Sequence, residues 1–210
     1  MTSFRCFTVN PFQQNTWLAY KDGKALLFDA GFYGASELNQ LLNFLEDNNL
    51  ELKACLLTHA HVDHVLGLHA VLDVFDIPVY LSHEDEYLWE NFYAQASFYG
   101  FRAQPFDFKP IDYPAKMDIA DMKFDVLKTP GHSPDHVSFH FKEEKTLIAG
   151  DVLFNGSIGR TDLYKGDFKT LESVIKNKLY ILPDETKVLC GHGPETSIGV
   201  EKVQNQFVRV

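Results

Sequence analysis

Three cysteines in 210 residues are too few and too scattered for a disulfide framework. Cys55 and Cys190 lie inside apolar runs, which is where buried reduced thiols sit, and no Cys-x-x-Cys pair offers a thiolate cage for a metal. Long apolar runs are missing too. Nothing approaches the roughly 18 uninterrupted apolar residues of a membrane span, and Met1-Thr2-Ser3-Phe4-Arg5 lacks the apolar stretch of a secretory leader, so a cytoplasmic protein without a membrane partner is expected. Basic residues are in deficit: 19 Lys and Arg against 29 Asp and Glu leave a formal charge of -10, which argues against a nucleic-acid partner. No Gly/Ser/Pro-rich spacer, charge block or short repeat interrupts the chain. With 45% hydrophobic residues it can bury a full core, and one domain over residues 1–210 is expected.

What is present is concentrated in one stretch. Thr58-His59-Ala60-His61-Val62-Asp63-His64 crowds His59, His61, Asp63 and His64 between the apolar run Ala54-Cys55-Leu56-Leu57 and a helix-like run from Val65 to Phe75. In extended chain His59 and His61 point to one side, while Asp63 and His64 fall where the chain turns into the helix. Ligands thus arrive in two groups, enough for two metal ions. Imidazole and carboxylate suit zinc, iron or manganese, and the set looks catalytic rather than structural.

The rest of the chain alternates strands and helices. Phe4 to Val9, Thr16 to Tyr20 and Ala25 to Asp29 read as strands separated by Asn10-Pro11 and Asp22-Gly23. Ser36 reads as the N-cap of a helix carrying Leu38, Leu41, Leu42 and Leu45, and Lys53 to Leu57 as the next strand. After Pro78 a short strand runs Val79 to Leu81, and Ser82 with Asp85 reads as a capping box for a helix towards Phe98. An aromatic stretch follows, Trp89 to Phe108, in which Pro105, Pro110 and Pro114 discourage regular structure. It reads as packed core and loop, with a substrate wall as the alternative. Further strands are expected at Lys123 to Lys128, Val137 to Phe141, Thr146 to Ala149 and Lys187 to Cys190, with a helix capped by Asp167 and a short one near Val200 to Gln206.

His132, Asp151 and His192 each follow a glycine at the end of such a strand. Singly each could be an ordinary loop residue; arriving together at strand ends beside the first cluster, they read as further ligands.

In His59-x-His61-x-Asp63-His64, His132, Asp151 and His192 the sequence resembles the metallo-β-lactamase-fold hydrolases. More narrowly, Asn10-Pro11-Phe12, Thr129-Pro130-Gly131-His132-Ser133-Pro134, Gly150-Asp151, Gly156-Ser157-Ile158-Gly159-Arg160-Thr161-Asp162 and Gly191-His192-Gly193-Pro194-Glu195-Thr196 are similar to a short glyoxalase II-like hydroxyacylglutathione hydrolase. The resemblance implies an α/β fold, an αββα sandwich of two mixed sheets with helices on the outer faces. It implies two divalent metal ions, zinc first, with iron or manganese also suited. His59, His61 and His132 would hold one ion, Asp63, His64 and His192 the other, and Asp151 would bridge them, Asp63 and Asp151 being the carboxylates counted as catalytic. Asp29 matches a carboxylate that orients a ligand, although a strand-end turn explains it as well.

Two departures stand out. The chain stops too soon after His192 to hold the C-terminal helical domain of the long enzymes, and their Lys-x-Tyr is replaced by Arg160-Thr161-Asp162. Arg160 could bind a substrate carboxylate or simply pair with Asp162. The expected reaction is hydrolysis of a small-molecule thioester, such as a glutathione-derived one, by a metal-bridging hydroxide. A thiolate leaves without a proton, whereas an amine needs one. The alternatives are a mononuclear-iron persulfide dioxygenase of the same fold, a lactone or ester hydrolase, and a non-catalytic metal-binding module.

Overall fold

The computed structural model describes residues 1–103, 106 and 108–209; Pro105, one of the expected breakers, lies outside them. The chain divides into two compact units, Met1–Tyr113 with Ile119–Met122, and Pro114–Asp118 with Lys123–Val210.

In the first unit, β1 (Ser3–Val9), β2 (Gln14–Lys21) and β3 (Lys24–Phe28) form the expected antiparallel meander. The β2–β3 connection is the two-residue loop Asp22-Gly23, both with positive φ (48° and 77°), the mirror-image turn whose twist suits a hairpin. Helix α1 (Ala35–Asp47) then returns the chain so that β4 (Glu51–Leu56) pairs parallel to β3, and β5 (Val79–Tyr80) parallel to β4. Strands with parallel neighbours are covered on both faces, which explains why β3 and β4 read as apolar runs rather than alternating ones. Leu38, Leu41 and Leu45 of α1 close over Leu18, Leu27 and Cys55 in one core.

Several expected helix boundaries shift. Gly34, not Ser36, caps α1, and Glu37 in its first turn reaches back to accept the Tyr33 N–H (2.7 Å). The run from Val65 to Phe75 is two short helices, α2 (Val62–Val65) and α3 (Leu68–Leu72), separated where Gly67 N–H donates to Ala30 O (2.8 Å). Ser82 and Asp85 form no capping box: the Ser82 side chain caps nothing, and the Asp85 carboxylate accepts from Ala60 N–H instead. The single helix expected from there towards Phe98 is broken at Asn91 into α4 (Glu86–Glu90) and α5 (Phe92–Phe98).

The second sheet is also mixed. β6 (Lys116–Ile119), β7 (Met122–Lys128), β8 (Val137–Phe141) and β9 (Thr146–Gly150) lie side by side, followed by β12 (Lys187–Cys190) parallel to β9 and β13 (Thr196–Ser197) at the edge. A two-stranded ribbon, β10 (Leu153–Phe154) and β11 (Ser157–Ile158), stands apart. Helix α6 (Phe168–Val174) is capped as expected, the Asp167 carboxylate accepting from Thr170 N–H (2.7 Å). Helix α7 (Ile198–Gln204) starts two residues before its expected position because Ser197 caps it. Leu171, Ile175 and Leu179 pack with Leu147, Ala149, Val188 and Cys190 in a second core.

Cys55 and Cys190 are buried, and among the described residues no disulfide is formed. Among the described residues no helix is long and apolar enough to cross a membrane.

Leu27 is fully buried in the middle of the first core. Leu27→Ala should cost about 2–5 kcal/mol, read as a lower urea midpoint at unchanged slope.

Candidate metal centre

β4 ends at Leu56, and the turn that follows carries four expected ligands of the first unit. His59 and His64 are fully buried and His61 nearly so. The His59 ring lies 4.7 Å from that of His61 and 4.1 Å from that of His64, centroid to centroid. Burying three imidazoles this closely costs free energy unless their polar atoms are engaged. Asp29 does much of this.

Asp29 sits at the end of β3 with φ 59°, a left-handed conformation that an aspartate tolerates, and is itself buried. Its carboxylate accepts from Thr58 N–H (2.7 Å), from the Thr58 hydroxyl (3.0 Å) and from His64 Nδ1 (2.8 Å). A carboxylate only accepts, so His64 carries its proton on Nδ1 and leaves the lone pair on Nε2. The same logic runs one step further. The Thr58 hydroxyl spends its proton on Asp29 and therefore accepts from His59 Nδ1 (2.9 Å), which puts the His59 lone pair on Nε2 as well. One carboxylate thus sets the tautomers of two histidines, the arrangement usual behind metal-binding imidazoles. Asn10 secures the turn from outside, its amide donating to Gly31 O (2.8 Å) and Asp63 O (2.9 Å).

In the second unit His132, Asp151 and His192 follow β7, β9 and β12, and the structure brings them together. Asp151 Oδ2 lies 3.6 Å from His132 Nε2 and 3.5 Å from His192 Nε2. His132 Nδ1–H donates to Arg160 O (2.7 Å), so its lone pair also belongs to Nε2. Asp151 is held by a buried relay. Its N–H donates to His136 Nε2 (3.1 Å), and His136 Nδ1 meets the Thr129 hydroxyl (2.9 Å). Thr129 and Ser138 share a hydroxyl contact (3.0 Å), and Ser138 donates to Ala149 O (3.1 Å). Of the expected glycines, Gly131 (φ 126°) and Gly150 (φ 55°) do supply backbone turns. Gly191 serves differently, since a Cβ there would collide with Asp151 Oδ1.

The donor chemistry fits divalent metal. In the second unit an imidazole lone pair on His132 faces a carboxylate oxygen, and in the first His64 Nε2 faces Asp63 Oδ2 at 3.7 Å. Two acceptors directed at each other repel, and a cation between them removes the repulsion.

Arg160 forms a bidentate pair with Asp162, Nε to Oδ1 at 2.7 Å and Nη2 to Oδ2 at 2.8 Å. That hydrogen-bonded guanidinium holds the Asp162 carboxyl down at about 2. The plain ion pair is therefore what the side chain forms, while its carbonyl orients His132. Thr58, His136 and Asn10 are the supporting residues whose roles the sequence left undefined. Thr58 and Asn10 stand inside the motifs, and His136 is four residues from His132, but no spacing indicates a hydrogen-bond partner.

Buried histidines facing carboxylates in a small set of strand-end turns point to a metal-dependent protein. The chain belongs to the metallo-beta-lactamase superfamily, whose family model matches residues 9–192. It is 41% identical over 212 residues to the probable metallo-hydrolase YqgX of Bacillus subtilis, covering 98% of this chain and 97% of the relative. It is 37% identical over 205 residues, 95% of each chain, to hydroxyacylglutathione hydrolase GloC of Haemophilus influenzae. Two solved structures share the fold over almost their whole length. The B3 metallo-beta-lactamase BLEG-1 superposes with TM-score 0.87 at 38% identity, covering 98% of this chain and 99% of that one. TTHA1623 in a di-iron-bound form does so with TM-score 0.88 at 36%, covering 97% and 100%. The expected fold class, two mixed sheets with helices, is the fold of this superfamily.

Asp29→Ala should strip the acceptor from buried donors on Thr58 and His64. At about 1–3 kcal/mol for each donor left unpaired, the variant should unfold at clearly lower denaturant, whereas Asp29→Asn, which keeps one acceptor oxygen, should lose less.

Proposed function

We propose that the seven donors work as one binuclear centre that hydrolyses small-molecule thioesters, hydroxyacylglutathione being the type. In this reading His59, His61 and His132 hold one ion, Asp63, His64 and His192 hold the second, and Asp151 is shared. The two compact units then act as a single catalytic domain. The observation that carries the reading is the set of imidazole nitrogens whose protons are committed to Asp29, Thr58 and Arg160, which leaves a lone pair on Nε2 of His59, His64 and His132. The likeness to GloC supports the substrate class.

Two divalent ions held there would supply a nucleophilic water at neutral pH and a Lewis-acid contact for the carbonyl oxygen. The donors are all nitrogen and oxygen, which suits zinc first and iron or manganese as well. The protein's own part is positioning. Asp29 keeps His59 and His64 in the ligating tautomer, and His136 holds the Asp151 backbone so that the shared carboxylate does not swing. Water adds to the acyl carbon, the C–S bond breaks, and the products are an acid and a thiol. The thiol, with a pKa of about 8.5, departs as the anion, so none of the seven ligands has to give up a proton to it. A substrate carboxylate reaching Arg160 would share the guanidinium with Asp162.

Protein purified without added metal or chelator should contain two metal ions per chain by elemental mass spectrometry and hydrolyse a panel of thioesters faster than matched esters, lactones and β-lactams. Chelation should abolish turnover, and added zinc or manganese should restore it. His192→Ala should lower kcat by on the order of a hundredfold or more and halve the metal content; full activity in that variant would sink the binuclear reading. One iron per chain, with oxygen consumed on a glutathione persulfide, would replace hydrolysis by the dioxygenase alternative.

A further inference from the structure

The aromatic stretch that begins at Trp89 in α4 divides in two. Trp89, Phe92, Phe106 and Phe108 pack on one another and on the first core, with ring centroids 4.5 Å apart for Trp89 and Phe108 and 4.8 Å for Trp89 and Phe106. Phe98 and Tyr99 face outwards, as do Phe12 and Tyr33 from earlier in the chain. Phe98 is 83% exposed, Tyr99 41%, Phe12 38% and Tyr33 37%, yet they form a continuous set of rings through Phe101. Phe12 lies edge-on to Tyr99 at 5.1 Å and against Phe101 at 5.6 Å, Tyr33 meets Phe101 at 5.1 Å, and Phe98 meets Tyr99 at 5.0 Å. Scattered exposed aromatics need no explanation, but a contiguous set does.

These rings come from three separate segments, and each segment is hydrogen-bonded to the backbone of the histidine turn. The segment with Phe12 is tied through Asn10 Nδ2 to Asp63 O (2.9 Å), and Phe12 N–H is itself held by Asn10 Oδ1 (3.0 Å). The segment with Tyr33 is tied through Ala30 N–H to His64 O (2.7 Å). The segment leading to Tyr99 and Phe101 is tied through Gln95 Nε2 to Ala60 O (3.4 Å) and fixed by the same amide to Leu88 O (2.7 Å). Three pieces of chain distant in sequence, each bonded to that turn, thus carry the exposed Phe12, Tyr33 and Tyr99 and the half-buried Phe101, which also packs against the first core.

We infer that Phe12, Tyr33, Tyr99 and Phe101 form the acyl-binding rim of the active site, and that the acyl group it takes is an extended aliphatic or an aryl one. The inference rests on the hydrolase reading for what the rim serves. The rings offer apolar faces and two phenol groups without formal charge, a surface that suits an acyl chain better than the carboxylates of a peptide thiol. Placed beside the ligand turn, such a rim holds the acyl body while the carbonyl meets the metals. It therefore sets substrate preference through binding more than through turnover.

The test compares acetyl and hexanoyl thioesters of one thiol on wild type and on Phe12→Ala/Tyr99→Ala. The hexanoyl-to-acetyl ratio of kcat/KM should fall at least on the order of tenfold, chiefly through KM, and Phe207→Ala, an exposed aromatic of the other unit, should leave the ratio unchanged. Calorimetric titration with S-hexylglutathione, which cannot be hydrolysed, provides an arm independent of turnover. Wild type should bind it, and the double variant at least tenfold more weakly. Binding without thioester hydrolysis would uphold the rim while removing the hydrolase reading. An unchanged ratio with unchanged binding, or no binding by wild type, would overturn the rim. So would a wild-type dimer that the double substitution converts to monomer without altering the ratio, since the patch would then belong to a second copy of the chain.

Discussion

The positions of the protons on the buried imidazoles govern the chemistry open to the strand ends that carry the candidate donors. His59, His64 and His132 each donate the Nδ1 proton to a fixed acceptor, which leaves the lone pair on Nε2. Asp29 does this for His64 directly and for His59 through the Thr58 hydroxyl, at distances of 2.8 to 3.0 Å. In the second unit the Arg160 carbonyl does it for His132. Without those acceptors the rings could exchange tautomers and rotate, and the same residues would make an inert, buried cluster. The left-handed backbone at Asp29 goes with the same contacts, its carboxylate meeting Thr58 and His64 together.

Both sheets present their candidate donors in the same way. A strand buried among apolar neighbours ends, the chain turns sharply, and the first polar side chains appear at that edge. The mixed pairing makes this possible, since β3 and β4 run parallel in one unit and β9 and β12 in the other, so the ends of neighbouring strands lie level. Loops over a rigid sheet are where binding residues are usually placed. Close approach is then the remaining limit, and Gly191 meets it by leaving room for the Asp151 carboxylate.

The main strands, their order of appearance and all seven candidate donors are legible in the amino-acid sequence, because buried strands are apolar and metal ligands are rare residue types at short spacing. What is not legible there is set by tertiary partners. Asp85 carries the sequence pattern of a helix cap, yet it turns to Ala60 because a buried backbone N–H there needs an acceptor. The helix expected from Val65 to Phe75 is interrupted by a bond from Gly67 to Ala30, a residue far back along the chain. His136 can be read from the sequence either as a support for nearby His132 or as a strand-surface histidine, and only the fold shows it as the acceptor for Asp151 N–H. The aromatic stretch poses a choice between core and wall, and its members divide between a packed group and an exposed one. Each of these depends on a contact between residues distant in sequence, which local periodicity does not encode.

At the centre of the proposed function stand two metal ions held by nitrogen and oxygen donors alone, with one carboxylate shared by both. X-ray absorption spectroscopy on the metal-loaded protein addresses that arrangement without recourse to turnover. The expected spectrum has a ligand shell at about 2.0–2.2 Å with imidazole scattering and a metal–metal vector at roughly 3.5–4 Å. A sulfur shell near about 2.3 Å, or a single metal with no metal–metal vector in fully loaded protein, would contradict it.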